Sequence, residues 1–313
     1  MSSAIEAVDL TRRFGRLDAV DSLNLRVPIG SVFALVGPNG AGKTTTIKLL
    51  MNLVRPTRGS ALVLGADSRR LGARDFARIG YVSENQRLPD WLTPDQLLDY
   101  IRPFYPTWDE ALCEKLRADL GLTARTPLRS LSRGTRMKAA LLASLAYRPE
   151  LVVLDEPFTG LDPLVRDELI RALLELPGER PCTVLVSSHD IEEIERLADW
   201  IAFIDGGRLI FAEPVSSLLS RFRLIEVIAP DGVTPAPLTT PGWLSQGIVG
   251  RTLRFVDTDH AVPGAMSRIA HAFPGADIRA MPLSLREIFV ALARRPASES
   301  SARHEVSGLA SEF

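Results

Sequence analysis

The chain has 313 residues, of which 46% are hydrophobic and 24% charged, with a formal net charge of −1. That balance gives a soluble globular protein with room for one large core and one smaller one, and it excludes a nucleic-acid binder that works by bulk positive charge. Cys113 and Cys182 stand far apart with no Cys or His at ligand spacing, which excludes a disulfide framework and a zinc site, and no window is apolar over the length a bilayer requires.

Along the chain, the opening residues Met1 to Leu10 carry Glu6 and Asp9 and are not read as a signal peptide. The first strongly marked element is the apolar run Val32-Phe33-Ala34-Leu35-Val36, read as a buried strand. It leads directly into Gly37-Pro38-Asn39-Gly40-Ala41-Gly42-Lys43-Thr44, followed by Thr45 and the helical pattern Ile47-Lys48-Leu49-Leu50-Met51. Strand, glycine-rich loop and helix in this order make a phosphate cradle. The three glycines let backbone N–H groups turn toward phosphate oxygens, and the helix start adds the positive end of its dipole. Lys43 is then expected to reach the β- and γ-phosphates, and Thr44 to offer its hydroxyl to Mg²⁺.

Between Tyr81 and Leu131 five prolines, from Pro89 to Pro127, separate short helical patterns at Asp95 to Ile101 and Asp109 to Leu120, which reads as a helical insertion on an α/β core. Next comes Leu131-Ser132-Arg133-Gly134-Thr135-Arg136, opening a helix through Ala146, and then the buried strand Leu151 to Leu154 ending in Asp155-Glu156-Pro157. Carboxylates at a strand end of an open α/β sheet lie where ligands bind. Asp155 is placed to hold Mg²⁺, and Glu156 to polarise a water for attack on a γ-phosphate. Thr159-Gly160-Leu161-Asp162 follows, and the strand Thr183 to Ser187 ends just before His189.

Up to Leu218 the chain reads as alternating β and α units around a largely parallel sheet. Beyond it, strands at Ile225 to Ile228 and Thr252 to Val256 and helices at Pro263 to Ala272 and Leu285 to Ala293 describe a small α+β domain of roughly seventy residues. The expected organisation is therefore 1–218, with a helical insertion over about 84–147, then 219–293. A tail, 294–313, is expected to be disordered because it holds few large apolar residues.

The phosphate cradle alone suits kinases, GTPases and motors equally. Ser132 and Gly134 ahead of Asp155-Glu156 make the difference: in that order the motifs resemble the ATP-binding cassette (ABC) ATPases, whose signature Leu-Ser-Gly-Gly-Gln precedes the acidic strand end. The resemblance spans about Ile5 to Leu218. It implies an α/β P-loop NTPase sheet with a helical insertion, here carrying the added small C-terminal domain. It also implies a site for ATP and Mg²⁺ built from Gly37, Pro38, Asn39, Gly40, Ala41, Gly42, Lys43, Thr44 and Thr45, with Thr44 and Asp155 on the metal and Lys43, Glu156 and His189 as the catalytic group. His189 matches the switch histidine, and Asp162 lies in the loop where paired cassettes meet. Phe14 matches the aromatic that stacks on adenine, where a π face suffices.

Three positions depart from the family pattern. Arg133 and Thr135 replace a Gly and the Gln of the signature. Glu84 falls where the family places a Gln that contacts the metal and senses the γ-phosphate, with Gln86 as the fallback. Because the chain holds one copy of each motif, the resemblance implies a second cassette whose Ser132 and Gly134 complete the first one's site. It also implies separate membrane-spanning permease subunits, docked near Tyr81 to Tyr105, at the cytoplasmic face of the membrane. The stretch Arg102 to Asp109, together with Glu84 and the Ser132-x-Gly134 signature, is similar to bacterial export-type cassettes that pair with separate permeases. Two alternatives remain open on sequence alone: an ATP-binding regulatory subunit with little hydrolysis, and a soluble non-transport cassette acting on ribosomes or DNA, which would need two cassettes in one chain, a long coiled-coil insertion or basic arms, none of them visible.

Overall fold

A computed structural model describes residues 2–84, 86–123, 125–175, 182–238, 240 and 242–293; the expected tail 294–313 lies outside the described residues. Two compact units emerge, Met1–Pro214 and Val215–Phe313. The division precedes helix Val215–Arg221, which the sequence-based boundary at Leu218 cuts through.

The first unit is built on β1 (Ser3–Phe14), β2 (Leu17–Pro28), β3 (Val32–Val36), α1 (Lys43–Leu50), β4 (Arg58–Val63) and β5 (Ala66–Asp67). After α2 (Ala73–Phe76) and β6 (Ile79–Ser83), α3 (Pro94–Ile101), α4 (Glu110–Asp119) and α5 (Arg133–Leu145) form the inserted helices. The core then resumes with β7 (Leu151–Asp155), α6 (Pro163–Leu174), β8 (Thr183–Ser188), α7 (Ile191–Glu195), β9 (Trp200–Asp205) and β10 (Arg208–Pro214).

Two sheets result. One has the order β10-β9-β3-β8-β7-β6, with β9, β3, β8, β7 and β6 parallel and β10 antiparallel on the edge. All residues of β3, β7 and β8 are buried, which is why these strands are unbroken apolar runs rather than alternating ones. The other sheet, β2-β1-β4-β5, is antiparallel throughout and corrects the expectation of simple β/α alternation in this region. Its strands bury one side and expose the other. In β1, Ile5, Ala7 and Leu10 go inside while Val8 stays outside, a mixed pattern that periodicity reads poorly. Helix α1 packs between the sheets, touching β2, β4 and β7. Ile47, Leu49 and Leu50 are at most 1% exposed, and burying each stabilises by about 1.5–3 kcal/mol, so this helix is held rigidly at its N-terminal loop.

The inserted helices start on side-chain caps. At α3, Thr93 Oγ1 accepts from Gln96 N–H at 3.2 Å while Gln96 Oε1 accepts from Thr93 N–H at 3.0 Å, with Pro94 at the first helical position. Ser132 caps α5 by accepting from Thr135 N–H at 3.1 Å.

In the second unit, α8 (Val215–Arg221), β11 (Arg223–Ile228), β12 (Trp243–Val249), β13 (Thr252–Asp257), α9 (Ala265–Ala272), β14 (Asp277–Pro282) and α10 (Leu285–Ala293) follow in order. The antiparallel sheet runs β12-β13-β11-β14, and its core holds Ile225, Val227, Trp243, Leu253, Phe255 and Ile269. Strands β12 and β14 are additional to the elements the sequence marks. Their exposed positions carry Ser245, Gly247, Asp277 and Arg279, which blur the strand signal. No helix among the described residues is long and apolar enough to cross a membrane.

Candidate functional site

The parallel strands bring their C-terminal ends to one edge of the sheet. In register, Val36 sits beside Ser188, Asp155 beside Ser187, and Ser83 beside Asp155. The loop after β3, the acids at the end of β7, the histidine after β8 and Glu84 after β6 therefore share one rim, the place where ligands meet open α/β sheets.

Backbone geometry fixes the glycine-rich loop. Gly42 has φ +104, and a Cβ there would lie 2.4 Å from the Ala19 carbonyl oxygen; a Cβ on Gly37 would lie 2.1 Å from the Ile204 oxygen. Both positions exclude any side chain. The loop curls so that Lys43 Nζ donates to the carbonyls of Gly37 at 2.7 Å and Pro38 at 3.2 Å, and the ammonium lies 3.2 Å from Glu156 Oε1.

Asp155 is held by two hydroxyls, Thr44 Oγ1 at 2.9 Å and Ser187 Oγ at 2.8 Å, both on Oδ1. Ser187 Oγ also accepts from Glu156 N–H at 3.0 Å. Glu156 itself sits at φ +53, a left-handed conformation that costs a non-glycine residue of order 1–3 kcal/mol. Its Oε2 lies 2.8 Å from His189 Nδ1 and accepts from Thr159 Oγ1 at 3.0 Å. The two adjacent acids are pushed apart electrostatically. Burial raises Asp155, with the neighbouring Glu156 charge adding to it, against the two hydroxyl hydrogen bonds. Burial also works to raise Glu156, but His189 and Lys43 outweigh it and hold its carboxyl below the usual range. Glu156 is thus an ionised carboxylate already matched to a cation.

A cleft of about 720 Å³ opens over this rim. Asn39 to Thr45 line it, with Phe14, Glu84, Glu156, Thr159 and His189. Phe14 is 46% exposed, and the Arg12 guanidinium carbon lies 4.4 Å from its ring centroid, so one face is already engaged. A smaller recess of about 80 Å³ beside it is lined by Thr44, Lys48, Tyr81, Ser83, Glu84, Asp155 and Glu156. Glu84 touches both spaces, whereas Gln86 turns back and its Oε1 accepts from Ser83 N–H at 3.2 Å.

Among the described residues no three His, Cys, Asp or Glu side chains are arranged to hold a metal by themselves. This agrees with Mg²⁺ chemistry, in which one or two protein oxygens suffice and substrate phosphates and waters complete the shell. The Thr44 hydroxyl and Asp155 carboxylate, already 2.9 Å apart, fit such a site.

Ser132, Gly134 and Asp162 do not line the cleft. Ser132 caps α5 and Asp162 caps α6, accepting from Val165 N–H at 3.1 Å. Gly134 packs on Val165, where a Cβ would come within 3.1 Å of its Cγ1. Ser132 and Asp162 are exposed at the starts of α5 and α6, while Gly134 is buried against α6. The aromatics of the insertion also divide. Tyr105 stacks on Tyr147 with centroids 3.7 Å apart, while Trp91, Tyr100 and Phe104 are exposed by 66%, 59% and 66%. Sequence reasoning did not assign Ser187, whose signal was a polar residue ending an apolar strand, or Thr159. Nor did it assign Asp18 and Ala19 on the cleft wall, which β2 brings there without any motif.

Comparison with known proteins gives a consistent result. The family profile described as ABC transporter matches residues 20–159. The bacitracin transport ATP-binding protein BcrA of Bacillus licheniformis is 33% identical over 225 residues, covering 71% of this chain and 74% of that protein. The lantibiotic transport ATP-binding protein SrtF of Streptococcus pyogenes is 34% identical over 203 residues, covering 64% and 87%. Among solved structures, an ATP-binding subunit of an ABC transporter superposes with a TM-score of 0.63 at 26% identity, covering 70% of this chain and 92% of that one. A dimeric cassette bound to ADP and phosphate shares the fold, with a TM-score of 0.59 at 21% identity over 67% and 98%.

Proposed function

This chain belongs to the ABC transporter family of ATP-binding cassettes, and on that premise we propose that it is the ATP-binding and ATP-hydrolysing subunit of an exporter whose permease is a separate chain. The observation that carries the reading is the convergence of Lys43, Thr44, Asp155, Glu156 and His189 at the ends of adjacent strands. Backbone N–H groups of the loop and the start of α1 bind phosphate oxygens, and Lys43 follows them from its carbonyl partners to the β- and γ-phosphates. Mg²⁺, when held at Thr44 and Asp155, supplies charge neutralisation to those oxygens.

Once Lys43 turns to phosphate, Glu156 loses one of the two groups that hold its proton affinity down and becomes the base that takes a proton from the attacking water. His189, hydrogen-bonded to the same carboxylate, keeps it aimed and offers its other ring nitrogen toward the γ-phosphate. Phe14 offers its open face to adenine. The surface of Ser132, Gly134 and Asp162 serves a second cassette, so that ATP holds two copies together and hydrolysis releases them.

The exposed Trp91, Tyr100 and Phe104 fit a permease contact at the cytoplasmic face of the membrane, since aromatic clusters of this kind anchor interfaces. A transport role is supported by relatives named for bacitracin and lantibiotic transport, and its export direction is our reading. The test is phosphate release by the purified chain, alone and with the candidate permease, together with membrane fractionation of cells expressing both. Nucleotide binding without turnover in either setting would favour a regulatory subunit, the reading motivated by Arg133, Thr135 and Glu84. A chain that never sediments with membranes would favour a soluble cassette.

A further inference from the structure

Two positions at which this chain departs from the cassette pattern touch each other: Arg133 Nη2 donates to Glu84 Oε1 at 3.0 Å within the same subunit. The residues are 49 apart in sequence. Arg133 is the first residue of α5, where its positive charge meets the positive end of the helix dipole, an unfavourable place for a cation unless a carboxylate is close. Glu84 supplies that carboxylate.

Room for the guanidinium comes from a third loop. A Cβ on Gly160, whose φ is +69, would lie 3.2 Å from Arg133 Nη1, so the bare glycine lets the arginine lie against it. Glu84 meanwhile borders the recess that also holds the side chains of Thr44 and Asp155. Lys43 serves Glu156, and the hydroxyls of Thr44 and Ser187 serve Asp155. Among the described residues, Arg133 is the ion-pair partner of Glu84.

We propose that Arg133 is a positioning residue that competes with a divalent cation for the Glu84 carboxylate, so that metal entry at the nucleotide cleft and release of the α5 start from that cleft are one equilibrium. A carboxylate oxygen engaged by a guanidinium is not free for a metal, and a dication beside Thr44 and Asp155 repels the arginine. The pair is 41% and 32% exposed, in the range where ion pairs are weak and exchange is cheap. Coupling of this kind is reciprocal: whatever loosens Arg133 favours the cation, and the cation loosens Arg133. The proposal rests on the nucleotide-site reading above and adds a regulation of that site.

The experiment is a two-residue cycle on binding of a fluorescent, non-hydrolysable ATP analogue, titrated once with Mg²⁺ and once with EDTA. The readout is the ratio of the two affinities. Arg133→Gly should raise the gain from Mg²⁺ by about 3- to 10-fold, about 1 kcal/mol of coupling. Glu84→Gln should lower it, and Arg133→Gly placed on Glu84→Gln should change it no further. Arg133→Lys keeps the charge and should stay near the unaltered chain. An equal effect of Arg133→Gly in both backgrounds, or none in either, overturns the competition. If the unaltered chain binds the analogue under neither condition, the nucleotide-site reading itself fails and this regulation falls with it.

Discussion

Lys43 and Glu156 form a buried ion pair, with Nζ 3.2 Å from Oε1 and side chains only 5% and 11% exposed. On the proposed roles, the cation assigned to phosphate and the carboxylate assigned to water are each other's partner. This arrangement avoids an unpaired buried charge, and together with the His189 hydrogen bond it holds the Glu156 carboxyl below its usual range against burial.

Glu156→Gln preserves shape and removes the negative charge. Turnover is expected to fall by roughly 10²-fold or more while ATP still binds. Without ATP the variant should lose about 1–3 kcal/mol, because Lys43 keeps its carbonyl acceptors but not its counter-ion. ATP should restore much of that loss. Phosphate release and thermal unfolding with and without ATP measure both effects, and unchanged hydrolysis would sink the assignment of Glu156.

Ser187 joins the two acids, donating to Asp155 Oδ1 and accepting from Glu156 N–H. It is fully buried, so Ser187→Ala leaves a backbone N–H and a carboxylate oxygen short of partners. Denaturant melts should show a loss of about 1–3 kcal/mol, and kcat should fall because the strained Glu156 backbone loses its anchor. A variant as active and stable as the parent would show that Ser187 does not position the acids.

Lys43→Ala removes the only ammonium in the cradle and should weaken ATP binding itself, not merely turnover. Charge-assisted contacts to phosphate are the strong ones here, and losing one is expected to cost about 1.5–3 kcal/mol of affinity, or roughly 10- to 100-fold in Kd. Isothermal titration of the variant with ATP decides it. Undiminished affinity counts against the phosphate cradle.

Both thiols should be sluggish. Burial pushes Cys182 up to about 11 from 9.0, and burial, then the nearby Glu110 and Glu114, push Cys113 up to about 11. At pH 7.5 the thiolate fraction is then of order 10⁻³ or less, so iodoacetamide labelling of the folded chain should run about 100-fold slower than of the unfolded chain. In the unfolded chain the thiols lose protons first as pH rises past 9.0, so this contribution to stability is present below that value and declines toward pH 11. Labelling followed by mass spectrometry across pH 7 to 10 checks the rate.

In the second unit, Phe255 is fully buried and packs on Trp243 with ring centroids 4.3 Å apart. Phe255→Ala should cost about 3–5 kcal/mol there, read as an earlier unfolding step of that unit. ATP binding provides the control for the first unit.

Legibility in the sequence followed burial. Strands β3, β7 and β8 are covered on both faces, so their apolar runs, and the loops at their ends, could be read directly. The antiparallel β1, β2 and β4 face partly outward, and β12 and β14 even more so, so their alternation is diluted and they escaped detection. Glu84 and Gln86 show the same limit at the site. Counting along the chain puts Glu84 first with Gln86 as the fallback; what it does not show is that Gln86 turns back on Ser83 while Glu84 lines the cleft.

What the sequence determined by itself was the chemistry: a loop with three glycines, a lysine, a threonine, two adjacent acids and a histidine, in an order that carries phosphate binding in its residue types. What only the tertiary structure decided was which of these groups hold one another. Lys43 on Glu156, Ser187 across both acids and Arg133 on Glu84 join residues 31 to 113 positions apart, brought together because parallel strands end on a common rim and the Arg133 side chain at the start of α5 reaches Glu84 there. Local sequence sets what a side chain can do; distances of about 3 Å between remote segments are set by how the buried strands and helices pack.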